Sequence, residues 1–195
     1  MSAALAGAAR AVPAPATLTS ATLTPVADGA VVVGVGDLNF AVAGAGGGRL
    51  ATYALGSCLG VCVHDPVAGV AGLLHVMLPS STVDAARAAS APAMFVDTGV
   101  PLLFKESYRL GAKKERLVVK VVGGAHQAEH EGDDHFQIGK RNLLALRKLL
   151  WRNNVIVRAE EVGGARVSRT VYLDAATGAL RVRASDGAGS REFLL

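Results

Sequence analysis

The sequence predicts an α+β domain, with helices packed on a system of mixed, largely antiparallel strands. Short apolar segments punctuated by Gly, Pro and Asp recur toward both ends of the chain, as hairpin strands do. Two amphipathic helical stretches lie in the middle with a strand between them. The chain has 195 residues, 51% of them hydrophobic, which suffices for one sizeable core but not for two full domains.

Residues 1–27 are rich in Ala, Pro, Ser and Thr and show no sustained period, so the expected organisation is a disordered extension over 1–27 and a single domain over 28–195. Residues 1–30 lack the basic start and compact apolar core of a secretory signal, and no apolar run is long enough to span a bilayer. The expectation is therefore a cytoplasmic protein without membrane insertion. Strands are expected at 31–35, 38–43 and 49–54. The segments 58–64 (C-L-G-V-C-V-H) and 70–78 (V-A-G-L-L-H-V-M-L) flank D-P-V-A-G, where Pro and Gly supply the fixed and permissive φ of a turn, and together they predict a hairpin. A helical region follows: Ala and Arg after Ser81 and Thr82, then L-L-F-K-E-S-Y-R-L-G-A, with Pro101 suited to the first turn and Gly111 to the end. R-L-V-V-K-V-V-G-G predicts a strand, I-G-K-R-N-L-L-A-L-R-K-L-L-W-R-N-N an amphipathic helix, and V-I-V-R-A-E-E-V another strand. A last hairpin turns at 175–178.

The segment that carries chemistry holds Thr52, Cys58 and His75, within T-Y-A-L-G-S-C and G-L-L-H-V-M-L-P. A thiol is a strong nucleophile once its proton is removed. An imidazole that removes it, and a third group that holds the imidazole, complete a hydrolytic site. A lone Cys and His in an apolar stretch are otherwise core residues. The hairpin decides between the two. With an even loop, for example 65–68 with His64 opposite Gly69, Cys58 falls directly opposite His75 on the same face, whereas an odd loop separates the faces. Gly56 and Ser57 let the backbone approach a substrate closely, and free N–H groups there could form an oxyanion hole. The catalytic reading expects Cys58 to be a solvent-reachable thiol of low pKa. Cys62, in an apolar run, is expected to pack.

These residues resemble the CheD-type chemoreceptor glutamine deamidases, which have Thr, Cys and His at these separations in G-S-C and H-x-M-L-P contexts. V-V-G-G-A at 121–125, I-G-K-R-N at 138–142, A-E-E-V-G-G at 159–164 and R-T-V-Y-L-D-A-A-T-G at 169–178 resemble later blocks of that family in the same order, so the likeness spans about 31–183. The resemblance implies a protein-glutamine glutaminase that hydrolyses glutamine side chains of methyl-accepting chemotaxis receptors to glutamate, and receptor glutamyl methyl esters as a second substrate. It makes Cys58 the nucleophile, His75 the general base and acid, and Thr52 the residue that orients His75. It also implies the layered architecture of the cytotoxic necrotizing factor deamidases, no cofactor, and a CheC-type phosphatase as a partner competing with receptor. The competing reading is a catalytically idle chemotaxis module that binds receptor or such a phosphatase.

Charge is uneven: residues 1–100 carry three basic and five acidic side chains, and 101–195 carry seventeen and eleven. The excess sits on the two helical stretches without interleaved aromatics, so solvated faces rather than nucleic-acid binding are expected, and a basic face could steer the domain toward an acidic receptor. His126, His130 and His135, with Glu129, Glu131, Asp133 and Asp134, include metal-ligand types, but their spacing fits no helix face and Gly132 breaks the run. A polar loop without metal is expected. The Gly-rich pieces at 44–48 and 121–124 are not followed by the Lys and Ser or Thr of a phosphate loop.

Overall fold

The computed structural model describes residues 29–44, 48–128 and 134–195; the extension expected over 1–27 lies outside them. Ten strands form two five-stranded sheets. In the first, β1 (Val31–Val32) lies parallel to β3 (Arg49–Leu55), followed by β8 (Ser168–Asp174), β9 (Leu180–Asp186) and β10 (Gly189–Leu194). In the second the order is β2 (Leu38–Val42), β5 (Val70–Val76), β4 (Leu59–Asp65), β6 (Val118–Gly123) and β7 (Val157–Val162). Apart from β1 with β3 and β6 with β7, all pairs are antiparallel. The helices are α1 (Ala85–Ser90), α2 (Val96–Arg109) and α3 (Ile138–Arg152). No helix among the described residues is long and apolar enough to cross a membrane.

Period-two alternation on β4 and β5 explains the layering. Leu59, Val61, Val63, Leu74 and Val76 face a core shared with Val96, Val100 and Leu103 of α2 and Leu146 and Leu150 of α3. The alternate residues Cys62, Ala71 and Leu73 face a second core shared with Leu50, Leu55, Val171 and Val182 of the first sheet. The second sheet is thus covered on both faces, and all residues of β4 and β5 are buried. His75 and Gly60 belong to the alternation that points between the sheets, which puts the candidate base in the inter-sheet layer.

The structure corrects three expectations. The hairpin loop is even, but it spans 66–69, with Asp65 opposite Val70; Gly60, not Cys58, is therefore directly opposite His75. Asp65 is the cause. Its carboxylate accepts from the N–H groups of Val67 and Ala68 at 2.9 and 3.0 Å and closes the turn itself, with Gly69 at φ 64°. The second helix starts at Val96, so Pro101 lies inside it and not in its first turn. Phe95, Val96, Val100 and Leu103 are fully or almost fully buried, and docking of this apolar stripe extends the helix past the proline's missing donor. Finally, β10 pairs with β9 at the sheet edge, a strand the sequence reading did not include; its residues are mostly exposed and give no apolar pattern.

Asp65 also ties the hairpin to the segment after α2. Its side chain is fully buried and accepts from Arg116 Nη2 at 2.7 Å, Arg116 Nε at 2.9 Å and the Lys113 N–H at 2.8 Å. The Arg116 guanidinium holds its carboxyl well below the usual carboxylate range, with the turn N–H groups adding to the effect. A depressed carboxyl contributes stability above its unfolded pKa and loses it as pH falls toward the folded one. Asp65→Ala should lower the thermal midpoint by roughly 5–10 °C. In urea titrations the parent should lose stability below about pH 4 more steeply than Asp65→Asn; parallel acid limbs would remove Asp65 from this role.

Candidate functional site

Thr52 of β3 and His75 of β5 meet between the two sheets, Thr52 fully buried and His75 1% exposed. His75 Nδ1 and Thr52 Oγ1 are 2.7 Å apart, and Thr52 Oγ1 donates to the Val33 carbonyl at 2.7 Å. A hydroxyl has one proton. Because Thr52 gives it to Val33, the hydroxyl can only accept from His75, so Nδ1 carries the imidazole proton and Nε2 keeps its lone pair. Nε2 is buried without a hydrogen-bond partner among the described residues. A buried orphan acceptor costs roughly 1–3 kcal/mol, and such atoms in a native fold call for an explanation. Here the orphan is a lone pair able to accept a proton.

Cys58 immediately precedes β4 and packs against the inter-sheet core, on the same side as Thr52 and His75. It lies two residues from the register partner of His75, hence diagonal to it rather than opposite. The sequence-derived trio therefore shares one layer and one face, with Thr52 and His75 hydrogen-bonded and no hydrogen bond from the thiol to Nε2. Cys62 is 1% exposed, free of any disulfide and pushed up to about 12 by burial, which makes it a packing residue as expected.

Burial also pushes the Cys58 thiol up, its own backbone N–H working weakly the other way, and it lowers His75 to about 4. This corrects the low-pKa thiol expected from sequence. Desolvation disfavours both charged forms, so the resting pair is a neutral thiol and a neutral imidazole.

The backbone leading into Cys58 is held from one side. Gly56 O accepts from the Ala125 N–H at 2.8 Å, Ser57 O from Asn142 Nδ2 at 3.1 Å, and Cys58 O from the Gly124 N–H at 2.8 Å. Gly123, at φ 116°, permits the approach, since a Cβ there would collide with Cys58 O. The Gly56 N–H donates to Ala54 O at 3.0 Å and so is not free for an oxyanion, while the N–H groups of Ser57 and Cys58 donate to no oxygen among the described residues, the Cys58 N–H lying toward its own sulfur. Ala54 sits at φ 57°, beside a β-bulge between Thr52 and Leu55. Left-handed backbone at a non-glycine residue marks strain held in place by its surroundings. A cavity of about 350 Å³, lined by Ala54, Gly56, Gln127, Arg166, Val167 and Ser168, opens beside this turn. A hollow of about 390 Å³ between α2 and α3 lies on the far side of the second sheet, and no Cys, His or carboxylate lines it.

Asn142 of α3 is the residue the sequence reading missed, although it stands within the quoted I-G-K-R-N block. A polar residue on a buried helical face, between Gly139 and Leu146, was the available signal. In the His126–His135 run, 129–133 lies outside the described residues. His126 Nδ1 bonds to Ala128 O at 2.8 Å, and no group of three or more metal-ligating side chains occurs among the described residues.

Comparison with known proteins adds a family. Residues 77–184 match the family model described as CheD chemotactic sensory transduction. That match begins after Thr52, Cys58 and His75 and so does not bear on them. A probable chemoreceptor glutamine deamidase CheD 1 of Syntrophus aciditrophicus is 45% identical over 82% of this chain and 96% of its own length. Proteins named probable chemoreceptor glutamine deamidase CheD from Solibacter usitatus and Pyrococcus abyssi are 46% and 43% identical, over 77% and 78% of this chain and 86% and 90% of their own.

The neutral pair has a measurable signature. Alkylation of Cys58 by iodoacetamide should climb with pH beyond about 8.5 with no plateau near neutrality. The His75 imidazole, followed by NMR, should stay neutral down to about pH 4. A thiolate plateau at pH 6–7 would indicate a preformed ion pair and contradict this electrostatic picture.

Proposed function

The chain belongs to the CheD family, and from that premise we propose that it hydrolyses glutamine side chains of methyl-accepting chemotaxis receptors to glutamate through Cys58, His75 and Thr52. The observation that carries the reading is the hydrogen-bond chain in which His75 Nδ1 donates to Thr52 and Thr52 donates to the Val33 carbonyl, which leaves Nε2 an unpartnered acceptor among the described residues on the face that holds Cys58. The relatives' names supply the substrate class.

Nε2 takes the thiol proton as sulfur attacks the side-chain amide carbon, so the neutral pair ionises only as the new bond forms. The carbonyl oxygen becomes an oxyanion, with the Ser57 and Cys58 N–H groups available to it. The imidazolium then protonates the departing nitrogen, ammonia leaves, and a thioester links Cys58 to the glutamyl carbonyl. Water, losing a proton to the regenerated Nε2, attacks the thioester; the thiolate departs, recovers a proton from His75 and releases glutamate. Thr52 keeps Nδ1 as the donor throughout and so reserves Nε2 for proton transfer. A glutamyl methyl ester would follow the same course with methanol leaving. A layered deamidase architecture of the cytotoxic necrotizing factor kind and a CheC-type phosphatase regulator belong to the same reading.

Variants assayed on a purified receptor cytoplasmic fragment by peptide mass spectrometry separate the roles. Cys58→Ala should abolish conversion of Gln to Glu, and His75→Ala should cost about 10²- to 10⁴-fold. Thr52→Val, which removes the hydroxyl but keeps the branched shape, should cost less. Cys62→Ala should retain activity. The Cys58/His75 double variant should be little worse than Cys58→Ala, because the two act as a unit. Undiminished deamidation by a well-folded Cys58→Ala protein would end the proposal.

A further inference from the structure

We propose that Asn142 is a positioning residue for the oxyanion hole: its carboxamide fixes the plane of the Ser57–Cys58 peptide, so that the Cys58 N–H faces the oxygen of the tetrahedral intermediate. The inference rests on the thioester reading above.

The geometry begins with the peptide unit. In a trans peptide the carbonyl and the following N–H point in opposite directions within one plane. Holding Ser57 O on the α3 side therefore turns the Cys58 N–H away from α3. The Ala125 N–H does the same for the Gly56–Ser57 peptide through Gly56 O. Of the three groups that hold the carbonyls of Gly56, Ser57 and Cys58, only Asn142 is a side chain.

The carboxamide is specified at both ends. Asn142 is fully buried, and its NH2 donates to Ser57 O at 3.1 Å and to Met77 O at 2.9 Å. Both neighbours are acceptors, so the nitrogen must face them and both of its protons are used. Oδ1 is then left buried without a donor among the described residues. A buried polar group left half satisfied is costly, and the position lies on an otherwise apolar helix face. Its benefit lies in the bridge. Met77 would continue the β4–β5 register opposite Cys58, so one side chain spans the nucleophile's strand and the base's strand. The helix can come this close because a Cβ on Gly139, one turn earlier, would sit 2.6 Å from Gly124 O.

Alkylation and deamidation separate this role from a merely structural one. Iodoacetamide reacts with Cys58 at a saturated carbon and forms no oxyanion, whereas deamidation must form one. Asn142→Ala and Asn142→Leu should therefore lower kcat on the receptor fragment by about 10- to 100-fold. KM, and the rate and pH profile of Cys58 alkylation, should stay within about twofold of the parent, a margin far below that loss. A kcat within twofold of the parent, or alkylation falling in step with kcat, overturns the inference. Should neither variant fold, the parent itself provides the test: when a peptide bearing an aldehyde in place of the target carboxamide adds to Cys58, the Cys58 amide proton should move downfield, and an unmoved resonance overturns it. Cys58→Ala run alongside keeps the two claims apart. Activity persisting in Cys58→Ala removes the thioester reading. Activity lost there but parent-like in both Asn142 variants removes only the role of Asn142.

Discussion

Thr52 and His75 come from different sheets, so the 2.7 Å contact that orients the imidazole exists only while the two sheets keep one alignment against each other. That alignment is set by the inter-sheet core, where Leu50, Leu55, Val171 and Val182 of the first sheet pack against Cys62, Ala71, Leu73 and Val122 of the second. Close-packed interiors transmit small volume changes rather than absorbing them. A cavity opened in this core would therefore shift the site even at residues that touch none of the trio. The hydrogen-bond chain ends at Val33, directly after β1; the Val33 N–H donates to Ala51 O at 2.7 Å and so ties the end of the chain back to β3.

The same burial that aligns the imidazole penalises charge on it and on the thiol. Burial raises the thiol and lowers the imidazole, so the resting state is neutral on both. In the proposed reaction the first full negative charge then develops on the substrate oxygen. In a poorly solvated layer, oriented N–H groups act on such a charge more strongly than they would in water. The carbonyls of Gly56, Ser57 and Cys58 are tethered from the α3 and β6 side, which in the proposed mechanism leaves the N–H groups of Ser57 and Cys58 for the oxyanion.

How much of this was legible in the sequence depends on what each feature is made of. The strands of the buried hairpin, the long helix α3 and the common face of Cys58 and His75 follow from apolar periodicity and loop parity, which are local. The two-residue slip of the register was not local: it comes from the Asp65 side chain closing the turn and from its partner Arg116, far along the chain. The early start of α2 was hidden because Pro101 argues against a helix there, and only docking of Phe95, Val96 and Val100 overrides it. For the site, residue types named Thr52, Cys58 and His75. Tautomer, protonation state and the occupied Gly56 N–H depend on Val33, burial and Ala54, which no spacing encodes. Asn142 announced itself only as a polar residue on an apolar helix face, and its two acceptors lie on distant strands.

A threonine in the orienting position follows from these surroundings. The group beside His75 Nδ1 must accept a hydrogen bond from the ring and also give one to Val33 O, which lies 2.7 Å from the hydroxyl. A carboxylate could do the first but not the second. It would face the Val33 carbonyl with lone pair against lone pair, and it would carry a charge into a site where Thr52 is fully buried. It would also favour the imidazolium over the neutral ring and so work against the lone pair on Nε2 that the proposed mechanism uses. A hydroxyl has one donor and two acceptor positions, matching one carbonyl and one N–H, and its β-branched carbon suits a strand. The neutral orienter and the neutral resting pair are thus two consequences of one constraint, a base built between two packed sheets.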